Sequence, residues 1–361
     1  MALGTRLIKR RILALPVRLG GIGILNPVKT AQTEYETSIK ITASLKNIIV
    51  NQENDLENYS EEEVQKVISE TKKDKDNRLS QELEQIKNEV NDSMKRNLDL
   101  ACEKGAGAWL TALPIQTLGY VLNSQEFRDS LCLRYGWKIP KTPMYCACGE
   151  KNDVDHALTC TKGGYVIMRH NRIRDLEASL LRDVCKDVRI EPELLPIGNR
   201  SINSSNVAEK ARLDVSAVGF WSPMARTFVD VRVFHPNSLS YRSKKIEKVY
   251  EQHETEKKHA YNQRIVQVEK GSFTPLVFST SGGMAPECAK FHKKLAELIS
   301  NKTKEDYSHV MNHLRTRLRF ALLKSTLVAL RGERGKSRKQ SGIPVSELSF
   351  NMVPDLPSYE V

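Results

Sequence analysis

The chain reads as a mixed α/β protein, and three observations predict it. From residue 165 onward, helical and strand-like segments follow one another as helix–strand–strand–helix–strand–helix. Two aspartates each sit in a run of β-formers, Ala211-Arg212-Leu213-Asp214-Val215 and Phe228-Val229-Asp230-Val231-Arg232-Val233. A cysteine–histidine cluster with metal-ligand spacing lies just upstream, and a helical region occupies the N-terminal part.

The elements follow in chain order. Residues 1–48 are basic and apolar, with a Gly-punctuated stretch from Leu15 to Ile24 and a helix expected over Val28 to Leu45. Residues 49–104 are highly charged and poor in aromatics, and Glu61 to Ala101 reads as one or two exposed helices. The low apolar content there predicts a charged helical linker or arm, not a core. Composition changes at Gly105, where an apolar block begins. Residues 105–164 read as a helical and zinc-knuckle module. Its helix Ser124 to Tyr135 carries Phe127, Leu131 and Tyr135 on one stripe.

A helix over Tyr165 to Cys185 presents Ile173, Leu176, Leu180, Leu181 and Val184 on one face. Strands are expected at 212–218, 227–234 and 273–279, and helices at 244–268, about 286–300 and about 306–331. The last helix alternates apolar positions with Arg315, Arg317, Arg319 and Lys324. Residues 332–361 are basic, then Pro- and Ser-containing, and read as disordered.

Composition narrows the function. The 361 residues carry a net charge of +12 and a pI near 9.3, which favours a polyanionic partner, with nucleic acid the first candidate. No apolar run is long enough to span a bilayer, so no membrane partner is expected. The N-terminal stretch lacks an apolar core with a small-residue cleavage site and is not read as a secretory signal. Seven cysteines is an odd count, and three of them cluster with a histidine, which points to reduced thiols and metal, hence an intracellular setting.

That cluster reads C-x-C-x7-H-x3-C: Cys146, Cys148, His156 and Cys160. Three thiolates and one imidazole make a closed tetrahedral set for Zn²⁺, so the role is structural. Small buried cysteines beside an unrelated histidine are the competing reading.

Asp214 and Asp230 lie on adjacent expected strands, which would set their carboxylates at neighbouring strand ends. Paired carboxylates suit Mg²⁺, whose chemistry can cleave a phosphodiester. Arg232 lies two residues after Asp230, on the same strand face, where it can brace a phosphate but not act as a base. On the next helix Lys257 and Tyr261 are four residues apart and share a face. Lys257 could position or activate water, Tyr261 could bond the phosphate, and Glu177 is a further carboxylate for the metal's surroundings. Against this, strand-end aspartates are common and Glu/Lys-rich helix faces are usually solvated.

Together these pieces resemble the restriction-like endonuclease region of site-specific non-LTR retrotransposons. The order is shared over residues 145–283: the zinc motif Cys146, Cys148, His156 and Cys160; Arg169-His170; Arg212-Leu213-Asp214; Asp230; then Lys257 and Tyr261. The resemblance implies a restriction-endonuclease-like α/β core of the PD-(D/E)XK type over residues 165–331, with an upstream zinc knuckle. It implies Mg²⁺-dependent nicking of target DNA, Asp214 and Asp230 holding the ion, and nuclear localisation after synthesis in the cytoplasm. Leu213 stands where the family usually has proline, and Arg232 where the wider superfamily usually has lysine, which moves the lysine role to Lys257. One residue separates the first two cysteines instead of two or more.

Residues 1–48 resemble the segment after a reverse-transcriptase palm, yet no Tyr/Phe-x-Asp-Asp motif occurs, so a polymerase module is expected to be missing or supplied in trans. DNA is the expected partner, with retroelement RNA a further candidate. Arg169, His170, Arg212, Arg315, Arg317 and Arg319 are candidate nucleic-acid contacts, with helix-start packing the alternative for His170. The rival function is a catalytically inactive, zinc-containing nucleic-acid-binding protein from a domesticated or decayed retroelement.

Overall fold

The computed structural model describes residues 2–52, 61–198, 200 and 202–332. The expected disordered tail therefore lies outside the described residues, apart from Gly332. The chain divides into two compact units, residues 1–102 and the remainder from Glu103.

The first unit is helical: α1 (Ala2–Ala14), a 3-10 turn (Val17–Leu19), α2 (Pro27–Val50), α3 (Glu61–Glu89) and α4 (Asp92–Cys102). Asn26 caps α2 through its side chain, with Pro27 at the first helical position. The Gly-punctuated stretch has a steric reason. A Cβ at Gly21 would come within 1.8 Å of the Leu15 carbonyl oxygen, so only glycine fits. The charged segment is not merely an arm. Leu83, Ile86, Leu98 and Leu100 are buried, as are Ile12 and Leu15. Arg11 of α1 bonds Glu82 at 2.6 Å and Glu89 at 2.6 Å on α3. A few well-spaced apolar side chains suffice for this packing, and averaging over a charged window hides them.

The second unit opens with α5 (Ala108–Thr111) and α6 (Ser124–Tyr135). Asn123 and Glu126 form a capping box at the start of α6, and Gly136 ends it in the left-handed region. The expected α6 stripe is only partly right: Tyr135 is fully buried, but Phe127 is exposed and touches Trp109 edge-on at 5.6 Å. The elements that follow are α7 (Val154–Thr159), α8 (Tyr165–Arg182), β1 (Lys186–Ile190), β2 (Val215–Val218) and β3 (Arg226–Phe234). Next come α9 (Ile246–Arg264) with a π-helical turn (Ile265–Glu269), β4 (Ser272–Ser279), α10 (Pro286–Thr303) and α11 (Tyr307–Arg331).

Among the described residues the four strands form one mixed sheet in the order β1-β2-β3-β4. The β1–β2 and β2–β3 pairs are antiparallel and β3–β4 is parallel, with α9 as the crossover. The mixed α/β class is therefore present. β1 was not foreseen from sequence. It is a charged, mostly exposed edge strand, so it lacks the apolar alternation that marks the others. Val215, Val229, Val231 and Leu276 pack with Ile173 and Leu180 of α8, Phe291 and Leu295 of α10, and Leu314 and Leu318 of α11. Phe228 instead packs with Leu213, Ile265 and Phe273, beside Tyr261 of α9. Strand alternation thus sends valines into the main core and turns the Phe228–Asp230 side of β3 towards α9. Among the described residues no helix is long and apolar enough to cross a membrane.

Candidate metal centre and carboxylate site

The cysteine–histidine cluster is built from a tight turn and a short helix. Tyr145 and Lys151 form an isolated antiparallel bridge. Inside it the Cys146 amide donates to Glu150 O at 2.8 Å and the Gly149 amide to Cys146 O at 2.9 Å. Gly149 holds φ +96°, which favours glycine. Asp153 then caps α7, its carboxylate accepting from the His156 amide at 2.8 Å. His156 and Cys160 fall four residues apart and so share a side.

The ligand atoms converge. Cys146 Sγ and Cys160 Sγ are 3.9 Å apart, Cys148 Sγ and His156 Nε2 are 3.2 Å apart, and all four atoms lie within 4.8 Å of one another. Two thiolates on one tetrahedral zinc are separated by about 3.8 Å at ordinary Zn–S lengths. The four residues could therefore hold a zinc ion. Burial raises the Cys146 thiol, but the Cys148 amide and contacts with His156, Cys148 and Cys160 outweigh it and bring the thiol down to about 6. A thiolate ligand is thus accessible at neutral pH. Ala157 packs with Leu330, and Leu158 with Ala329, so the module rests on α11. Beside it, Asp155 accepts from His235 Nε2 at 2.8 Å, while His235 Nδ1 lies 3.0 Å from Thr280 Oγ1.

The carboxylate site arises from strand register. Val215 pairs with Val229, so one residue further along the register sets Asp214 opposite Asp230. Opposite residues of an antiparallel pair point to the same face, with Cβ atoms about 5 Å apart. The two carboxyls lie within hydrogen-bonding reach of each other. Asp214 Oδ2 accepts from the Val231 amide at 2.6 Å, and its Oδ1 lies 2.9 Å from His170 Nε2 on α8. Lys257 Nζ of α9 is 2.5 Å from Asp230 Oδ2.

Electrostatics separate the pair. Burial raises Asp230, Lys257 opposes it, the neighbouring Asp214 adds to it, and the result is about 7. Burial also raises Asp214, but hydrogen bonds from His170, Asp230 and the Val231 amide prevail and lower it. The pKa values of the two carboxyls are thus pushed apart, Asp230 upward and Asp214 downward.

The remaining expected residues take varied positions. Arg232 is half-buried and its charge acts on His253 and Glu256 of α9. The Tyr261 hydroxyl accepts from Asn206 Nδ2 at 3.1 Å, tying α9 to the loop before β2. Arg212 is exposed, 3.5 Å from Glu193. Two expected nucleic-acid contacts turn inward. Arg169 is buried and donates to Leu158 O at 3.2 Å; burial alone lowers it to about 10. Arg319 is buried and donates to Ala106 O at 3.0 Å and Thr280 O at 3.3 Å; burial, then Arg134, lowers it to about 9. Neither guanidinium is presented to an outside ligand. Arg315 and Arg317, on the same helix, are half-buried. Glu177 is fully buried, 2.8 Å from His292 Nε2, and so serves the helix packing instead of the carboxylate pair.

Two residues gain importance beyond the sequence reading. His170 meets Asp214 directly, whereas sequence offered it as a DNA contact or a packing residue. Arg174, one helical turn on, lies close enough for the Asp214 charge to raise it and also pairs with Asp175 and Glu191. The i, i+4 spacing of His170 and Arg174 is the signal that could have found them together. The chain matches no protein-family model, and no curated protein matches it.

Proposed function

We propose that this chain is a Mg²⁺-dependent DNA endonuclease of the restriction-like class, derived from a non-LTR retrotransposon polyprotein. The observation that carries the reading is the meeting of Asp214, Asp230 and Lys257, brought from the residue just before β2, the middle of β3 and the middle of α9. The order α8, β1, β2, β3, α9, β4, with a parallel last pair, supports a restriction-like core.

The residues fit a hard divalent cation. They offer carboxylate oxygens that face each other across paired strand positions, where a cation would neutralise both charges. Asp214 and Asp230 would hold the ion. When bound, such an ion polarises a phosphate and lowers the pKa of an attacking water. Lys257 Nζ lies 2.5 Å from Asp230 Oδ2, from where it can orient water and offset charge developing on the phosphate. Arg232 on the same face of β3 can brace the phosphate. Tyr261 holds the loop leading to Arg212 and Asp214, so its contribution is positional first. DNA is the substrate that the net charge of +12 favours.

The test is a plasmid-nicking assay with Mg²⁺, comparing the chain with Asp230→Ala. Nicking by the wild type and at least about 100-fold less by the variant is expected, the scale of losing one catalytic electrostatic contact. Equal rates would remove the site. No cleavage by either, with salt-sensitive DNA binding retained, would favour the inactive nucleic-acid-binding protein instead.

A further inference from the structure

We infer that His170 is a positioning residue for the cation site, acting through Asp214 and not through DNA. This rests on the nuclease reading above. Apart from Asp230 itself, each oxygen of Asp214 has one partner, Val231 N on Oδ2 at 2.6 Å and His170 Nε2 on Oδ1 at 2.9 Å. The first partner belongs to the residue after Asp230, so it ties the two carboxylates to one stretch of β3. The second comes from α8 and fixes the rotation of the carboxylate about its own axis.

A carboxylate oxygen has two lone-pair directions. With one direction on each oxygen engaged, the remaining directions stay available for a cation. Facing a carboxylate, Nε2 must carry the proton, so His170 acts as a donor to Asp214. His170 is itself held in place. Its neighbours on α8 include the buried Arg169, bonded to Leu158 O, and the buried Ile173 in the main core. Glu177, two turns along, is locked to His292 of α10. The helix therefore delivers the imidazole to Asp214 from a rigid support. Residues that orient a metal ligand in this way change metal affinity by about 10–100-fold when removed.

The experiment measures Mg²⁺ binding by calorimetry to the zinc-loaded full chain, beside His170→Ala, His170→Gln and Asp230→Ala. Glutamine can set its amide nitrogen near the position of Nε2 and keep the donor. His170→Ala should weaken binding by about 10-fold or more, and His170→Gln should recover most of it. DNA affinity measured without divalent cation should be the same in all three chains that keep Asp230. Mg²⁺ binding by His170→Ala equal to wild type overturns the inference, as does a loss of DNA affinity with Mg²⁺ binding intact. If His170→Ala melts cooperatively only at low temperature, the glutamine variant decides: failure to restore Mg²⁺ affinity in a folded chain overturns the inference. Wild-type Mg²⁺ binding that ignores Asp230→Ala strikes the nuclease reading itself and is a separate result.

Discussion

The two candidate centres of this protein are built in opposite ways. The cysteine–histidine cluster draws its ligands from one turn and one short helix, between Cys146 and Cys160. The carboxylate site draws His170 from α8, Asp214 from the edge of β2, Asp230 from β3 and Lys257 from α9. The first needs little beyond its own segment to take shape. The second exists only when the sheet is paired in register, because a one-residue slip would send Asp214 to the other face. A local centre can therefore stabilise a segment, whereas an assembled centre depends on the stability of everything that carries it.

The largest expected effect breaks the local centre. Cys146→Ser should reduce bound zinc from one per chain to near zero. It should remove much of the ~10 kcal/mol that a structural zinc site contributes to its own segment. Hydrogen exchange should accelerate across residues 144–160 and remain slow in β3 and β4. Equal acceleration throughout the sheet would show that the cluster is not local in its effect.

This contrast also explains what could be read from the sequence. The cluster was legible because four ligands with two fixed spacings survive in linear order. Asp230 was legible as a strand residue, since valines and phenylalanine flank it, whereas Asp214, expected within a strand at 212–218, falls just before β2. Their facing geometry depends on the Val215–Val229 register, which only pairing determines. His170 was visible as a residue but not in its role, because a helix–strand contact across 44 positions leaves no periodic trace. Arg319 misled for a related reason. Alternating basic residues on a helix suggest a solvated face, yet this one finds the carbonyls of Ala106 and Thr280 inside. In the segment 61–102, composition concealed the few apolar residues that pack.

A smaller effect probes the support of the assembled centre. Glu177 on α8 and His292 on α10 form a buried pair at 2.8 Å, and His292 Nδ1 donates to Cys288 O at 2.8 Å. With a carbonyl on one nitrogen and a carboxylate on the other, both nitrogens carry protons. Burial alone would lower His292, but the Glu177 charge prevails and raises it well above its ordinary value. A raised folded-state value means that this stabilisation is complete below the unfolded value of about 6.5 and fades as pH rises through the folded one. Denaturant midpoints should therefore fall from neutral to alkaline pH. Glu177→Ala should cost about 3–5 kcal/mol at neutral pH, because it strands a buried cation, and should flatten that decline. An alkaline decline of the same size in the variant would disprove the pair's role.

The smallest effect belongs to the outer edge of the same assembled site. Arg212 and Glu193 are both largely exposed, 3.5 Å apart, and their residues form an isolated bridge two positions before Asp214. Solvent screens such a pair, and ordering two long side chains offsets most of the attraction. Glu193→Ala should therefore shift unfolding free energy by less than about 0.5 kcal/mol. It should nonetheless tighten DNA binding modestly and steepen its salt dependence, since it removes a negative charge and frees a cation next to the carboxylates. A stability loss above about 1 kcal/mol would mean that this edge is part of the scaffold. Unchanged stability with stronger, more salt-sensitive binding would mean that the assembled centre ends here and that a surface for the substrate begins.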